Sequence, residues 1–167
     1  MAKDKKDKGE KNEKTNVMRL LDAAQVKYNA YFYDSSDGKI DGVSVAGKTG
    51  FPVEQVFKTL VTAGASQGLY VFIVPVAEEL DLKKAAKAAG EKNIALIASK
   101  DLLKNTGYIH GGCSPLGMKK LYPTFIHESA ILLETMVCSA GKIGAQIELA
   151  PDDLLSLTKA QYADIIK

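Results

Sequence analysis

Tryptophan is absent from this 167-residue chain, and cysteine, histidine and proline are scarce at two, two and five residues. Cys113 and Cys138 are too few for a disulfide framework. With so few histidines they offer no zinc spacing either, so no metal and no other cofactor is expected. Such sparing cysteine use suits a reducing cytoplasm. The longest apolar run, Leu69 to Ala77 with Pro75 inside it, falls well short of the ~20 residues that span a bilayer. The charged N-terminus has no apolar segment behind it, so no secretory signal is expected. Strong net charge is missing as well. The chain carries +2, and residues 1–14 alone hold six lysines against Asp4, Asp7, Glu10 and Glu13. The remainder therefore balances at zero, without the broad basic footprint of an autonomous nucleic-acid binder.

What is present is an ordinary globular composition, 46% hydrophobic and 25% charged. The expected organisation is a Lys-rich, disordered tail over 1–14 followed by one domain over 15–167. Thr15 and Asn16 offer an N-cap, and Val17, Leu20, Leu21 and Ala24 recur at helical spacing, predicting a helix to about Lys27. Residues 29–34 alternate and carry aromatics, as strands do. Two strong strands, 56–64 and 69–76, flank "ASQG" and predict a hairpin. Asp81 caps a helix stopped by Gly90, and residues 94–97 form a short strand. Ser99 is expected to cap a helix that ends at Gly107. After a Gly- and Pro-rich loop come strands at 124–129, 135–140 and 145–150, then helical pieces at 151–158 and 159–167. Helices and strands interleave, yet some strands follow one another directly. This predicts a mixed α/β (α+β) sheet rather than a doubly wound parallel one.

"GVSVAGKTG" (42–50) matches the P-loop spacing of Gly42, Gly47, Lys48 and Thr49. A working P-loop joins a strand directly to a helix whose N-terminus faces phosphate. Here polar turn residues separate strand from pattern, and Gly50 and Pro52 prevent a long helix from starting at Lys48. The match is read as coincidence, with Gly47 and Gly50 ending a short helix.

Lys58 stands out within "QVFKTLVTAG". Alternation places it on one face with Val56 and Leu60, where a cation must snorkel, find a carboxylate or line a cavity whose ligand supplies charge. Thr59 points to the other face. The loop "GGCSPLG" (111–117) combines glycines that let a ligand approach the backbone with a stiffening Pro115. Its amides can hold a carbonyl oxygen or oxyanion, or the loop is simply a tight connection. Cys113, with His110 nearby and Lys119 and Lys120 to lower its pKa, reads as a nucleophile or as a core plug. Ser139 closes an apolar strand as a hydrogen-bonding group or a turn former. His127 reads as a surface or core histidine, and Cys138 as a small hydrophobe.

Taken together, "VFKTLV", "VPVAEELDLKKAAKAAG", "TGYIHGGCSPLG" and "CSAGKIGAQIEL" resemble, in that order, the YbaK/EbsC family of aminoacyl-tRNA deacylases, relatives of the prolyl-tRNA synthetase editing domain. The resemblance spans about residues 15–166. It implies a mixed α/β fold around a curved, partly barrel-like sheet, with a pocket for the aminoacyl group and terminal adenosine of charged tRNA. It implies a catalytic set of Lys58, Gly111 and Gly112, with Tyr33, Thr59, Ser114, Pro115 and Ser139 holding substrate. The expected substrate is cysteine mischarged onto proline tRNA, cleaved by its own thiol. An alanine-specific, water-using deacylase is the sister possibility. Prolyl-tRNA synthetase is an expected partner, and Lys119 and Lys120 are expected backbone contacts. A non-catalytic tRNA- or synthetase-binding module and a Cys113-dependent thioester hydrolase are the other readings.

Overall fold

In the computed structural model, residues 13–167 are described; most of the expected tail, residues 1–12, lies outside them. The order is α1 (Asn16–Ala23), β1 (Tyr28–Phe32), α2 (Gly42–Thr49), β2 (Phe57–Gly64), β3 (Leu69–Pro75), α3 (Leu82–Ala89) and β4 (Ile94–Leu96). It continues with α4 (Ser99–Thr106), β5 (Thr124–His127), β6 (Met136–Lys142), β7 (Ala145–Leu149), α5 (Pro151–Thr158) and β8 (Gln161–Ala163). Single 3-10 turns occupy Val53–Gln55 and Glu128–Leu132.

The strands form two sheets. One has the order β1-β7-β6 and is antiparallel throughout. The other, β4-β2-β3-β5-β8, is mixed: β2 runs antiparallel to β3 and β4, while β3–β5 and β5–β8 are parallel. The expected hairpin thus forms, closed by Gly64 N–H donating to Gly68 O (2.9 Å). A single parallel bridge, Val56 to Val137, joins the sheets. They do not close into a barrel: each sheet keeps free edges, and one bridge is too little to seal them.

Strand alternation builds two cores. Val71 and Ile73 of β3 face a large cluster with Val17, Met18 and Leu21 of α1 and Ile147 and Leu149 of β7. Phe72 and Val74, on the opposite face, pack with Ala85 and Ala86 of α3 and with Ile165. Phe72 stacks on Phe125 at a centroid distance of 5.3 Å.

Three local expectations are corrected. Ala98, not Ser99, occupies the N-cap of α4, with no side-chain cap. Gly47 lies inside α2, and Gly50 alone (φ 81°) ends it. The 159–167 segment is not helical. Lys159 leaves α5 in the left-handed region (φ 54°), and Gln161–Ala163 then pairs with β5. Its continuation is tied down by Asp81 N–H to Ile165 O (2.8 Å) and Lys167 N–H to Glu79 O (3.1 Å). Ladder bonds and burial of Ile165 override the helical propensity of a segment that includes Lys159, Ala160 and Gln161.

Truncating Phe72 removes a fully buried ring that also holds Phe125. Phe72→Ala should destabilise by ~3–5 kcal/mol, measured by urea unfolding; a loss below ~1 kcal/mol would mean that this second core contributes little.

Candidate functional site

The stretch matching the P-loop spacing is occupied with structural bonds. Asp41 caps α2 by accepting from Ser44 N–H (3.1 Å), so its carboxylate holds the helix start where phosphate would sit. A Cβ on Gly42 would fall 2.3 Å from Val76 Cγ1, which explains the glycine as close packing of α2 on the end of β3. Lys48 donates to Asp34 O (2.7 Å), Asp37 Oδ1 (2.8 Å) and Lys39 O (3.0 Å), stapling the loop between β1 and α2. Thr49 Oγ1 donates back to Val45 O (2.9 Å). Neither side chain is left for a nucleotide.

The stapled loop instead forms one wall of a cleft of about 350 Å3. Tyr33, Lys58, Thr59, Gly111 and Ser139 all line it, five residues that the sequence spreads over more than a hundred positions. Lys58 and Thr59 occupy the start of β2, and Ser139 belongs to β6. Tyr33 follows β1, held by its N–H to Gly144 O (3.0 Å), and Lys48 Nζ stands 5.9 Å from its ring centroid.

Lys58 does not find a carboxylate. Its Nζ reaches only Val76 O at 3.4 Å, and no ion pair involves it among the described residues. Burial lowers its pKa from the ordinary lysine value, partly offset by the charges of Glu79 and Glu78. Of the three roles open to it, lining a cavity is the one observed. Thr59 Oγ1 is likewise buried without a hydrogen-bond partner among the described residues.

The glycine loop divides. Gly111 (φ 89°) lines the cleft in the left-handed region, where a Cβ would also meet Ile40 Cδ1 at 2.8 Å. Gly112, expected to offer a free amide, donates to Ile109 O (3.0 Å) and packs so that a Cβ would lie 3.0 Å from Ile143 N. Ser114 is fully buried and accepts from Leu116 N–H (3.3 Å), a turn contact away from the cleft. Pro115 borders a separate small hollow, together with Lys120. As side chains, Ser114 and Pro115 thus shape the loop from behind. Lys119 is also committed: its Nζ donates to Lys104 O (3.0 Å) at the C-terminal end of α4.

Cys113 and His110 line the cleft, but Cys113 is only 8% exposed and burial pushes its thiol pKa up to about 12. That is a protonated plug rather than a poised nucleophile. Cys138 is buried and similarly raised, and His127 is a core histidine whose Nδ1 accepts from Ile165 N–H (3.4 Å). Sequence reasoning overlooked Gln146. It faces Ser139 across the β6–β7 ladder, lines the cleft, and buries an Oε1 that no hydrogen bond reaches among the described residues. Nothing in the sequence marks it, since a polar residue between Ala145 and Ile147 reads as ordinary strand alternation; only the structure shows it buried.

With this geometry in place, comparison with known proteins identifies the class. The model of the aminoacyl-tRNA editing domain matches residues 42–157. The chain belongs to that family. An Enterococcus faecalis protein named "Putative Cys-tRNA(Pro)/Cys-tRNA(Cys) deacylase EbsC" is 47% identical over 153 residues, covering 92% of this chain and 93% of its own. A solved structure titled "Crystal structure of a putative trans-editing enzyme for prolyl tRNA synthetase" superposes with a TM-score of 0.76 at 26% identity, covering 90% of this chain and 96% of that one. A further structure, of a protein described only as hypothetical, shares the fold at TM-score 0.83 and 19% identity, over 92% of this chain and all of its own.

Two predictions follow from the electrostatics. Because the folded-state pKa of Lys58 lies below the unfolded value, the unfolded chain binds that proton more tightly. The contribution of Lys58 to stability should therefore rise as pH climbs through the window below ~10.4, the unfolded lysine value. It is opposite in sign to the loss that the buried Cys113 and Cys138 cause above ~8.5, so it is read as the difference between wild type and Lys58→Met. Lys58→Met should abolish that rise and keep Tm at neutral pH equal or higher; a lower Tm would reveal a structural partner for the ammonium. Iodoacetamide at about pH 7.5 should label Cys113 far more slowly than a free thiol. Rapid labelling with loss of activity would restore the thioester-hydrolase reading.

Proposed function

We propose that this protein is a trans-acting deacylase that removes cysteine mistakenly esterified to proline tRNA. The observation that carries the reading is Lys58, a cation lining a cleft without a carboxylate partner among the described residues. A half-buried ammonium that Glu79 and Glu78 offset only in part is matched to a ligand bringing negative charge, as the terminal nucleotide and the developing ester oxyanion both do. The 47% identity to a protein named as a cysteinyl-tRNA deacylase supports the same substrate.

An aminoacyl ester is already activated, so its cleavage asks for orientation and oxyanion stabilisation more than for a protein nucleophile. In the substrate-thiol route the cysteine sulfur attacks its own ester carbonyl. A carbon–sulfur bond forms, the ester carbon–oxygen bond breaks, and the thiol proton ends on the departing ribose oxygen. The products are a thiolactone and intact tRNA. Lys58 and the backbone at Gly111 stabilise charge, while Tyr33, Thr59 and Ser139 bound the aminoacyl group. Cys113 stays protonated and takes no part.

Since the chain carries only +2, tRNA affinity of its own is weak, and prolyl-tRNA synthetase supplies the correct tRNA. Of the two lysines after the loop, Lys120 is the better candidate for backbone contact, because Lys119 closes α4.

The test is release of radiolabelled cysteine, and separately alanine, from proline tRNA. Wild type should release cysteine, and Lys58→Ala should lose ~100–1000-fold in kcat, the scale of removing one charge-stabilising group. Release of alanine alone would move the protein to the water-using branch. No release above the spontaneous rate, with the protein folded, would leave a binding module.

A further inference from the structure

Gln146 sits at the centre of the three-stranded sheet, paired with Tyr31 on one side and Ser139 on the other. It is 7% exposed, lines the cleft, and its Oε1 is fully buried without a partner among the described residues. A buried carbonyl oxygen with no donor loses its hydration and receives nothing in return, so such groups are rare unless a ligand completes them. Glu148, two residues along the same strand, shows the contrast: it accepts from Asn29, Tyr31 and Thr135. The sheet thus satisfies the acceptor of Glu148 and leaves that of the cleft-lining Gln146 without a donor among the described residues.

The two sides of the cleft differ in their chemistry. Lys58 lines the cleft from β2, in the other sheet, and is a pure donor that calls for the negative part of the ligand. Gln146 lines it from β7 with a neutral amide whose unpartnered buried oxygen calls for an N–H or O–H. Thr59 Oγ1, the second buried oxygen without a partner there, can also accept. An aminoacyl ester has acceptors at its carbonyl and phosphate and a strong multiple donor at its α-amino group. A neutral amide suits that donor, whereas a carboxylate in its place would compete for Lys58.

We propose that Gln146 is a substrate-positioning residue that accepts a hydrogen bond from the α-amino group of the bound aminoacyl ester, making the site selective for α-amino esters over their deamino counterparts. The assignment rests on the deacylase reading above. It gives the ester a fixed direction, with carbonyl and phosphate toward Lys58 and the amino group toward β7.

The experiment compares two esters of the same proline tRNA, cysteinyl and 3-mercaptopropionyl; the second keeps the thiol and lacks only the α-amino group. Wild type and Gln146→Leu are assayed on both, with Gln146→Met as a second apolar replacement in case leucine packs badly. Wild type should prefer the cysteinyl ester by ~10-fold or more in kcat/KM, the scale of a hydrogen bond from a charged donor. The apolar variants should lose that preference through a slower cysteinyl reaction, with the deamino reaction unchanged within ~2-fold. Their Tm should match or exceed that of wild type, because they remove an unsatisfied buried acceptor. Parallel loss on both esters, or a preference that survives both replacements, overturns the assignment while leaving the deacylase reading intact. Failure of wild type to cleave either ester overturns both.

Discussion

The site depends on the place where the two sheets touch and then part. Val56 and Val137 form one parallel bridge, both fully buried, and no further pairing joins β2 to β6. Lys58 lies two residues beyond the first valine and Ser139 two residues beyond the second. Had the ladder continued, these side chains would have packed against each other as neighbours on paired strands. Instead both line the cleft that opens there. One bridge thereby brings to one cleft a cation and a hydroxyl that belong to different sheets.

The remaining walls are built by fixing loops rather than by adding regular structure. Lys48 gathers three oxygens of the 34–39 loop and stands by the Tyr33 ring, so one side chain holds the segment whose two ends, Tyr33 and Ile40, line the cleft. Gly42 lets α2 close on Val76, and Gly112 lets the 111–117 loop close on the turn after β6. These approaches explain why residues that look like ligand-binding glycines in the sequence include some whose task is packing. Only Gly111 combines strained geometry with a place on the cleft surface.

Legibility in the sequence followed the range of the interactions concerned. The β2–β3 hairpin and the Asp81-to-Gly90 helix were readable because propensity, turn and cap are local. Lys58 was readable because a charge among apolar neighbours is anomalous wherever the strand goes. Ser114 and Pro115 lie in the expected loop, yet one contributes a buried turn contact and the other faces a different hollow. β8 was missed because its three residues carry little strand signal and pair only through β5. Gln146 was missed because a glutamine in a strand is unremarkable until its surroundings are known.

By itself the sequence determined the mixed α/β class, the presence of one out-of-place lysine, and the ordered set of motifs that points to aminoacyl-tRNA editing. Those properties reside in residue type and short spacing, which survive any arrangement of the elements. Tertiary structure alone decided that the sheets stay open, that the P-loop spacing is used up by a helix cap and a loop staple, and which glycine of the 111–117 loop lines the cleft. It also decided that Lys58 has no carboxylate within reach among the described residues and that Gln146 has no donor. The reason is that a lack of partners is a property of distances between segments far apart in the chain.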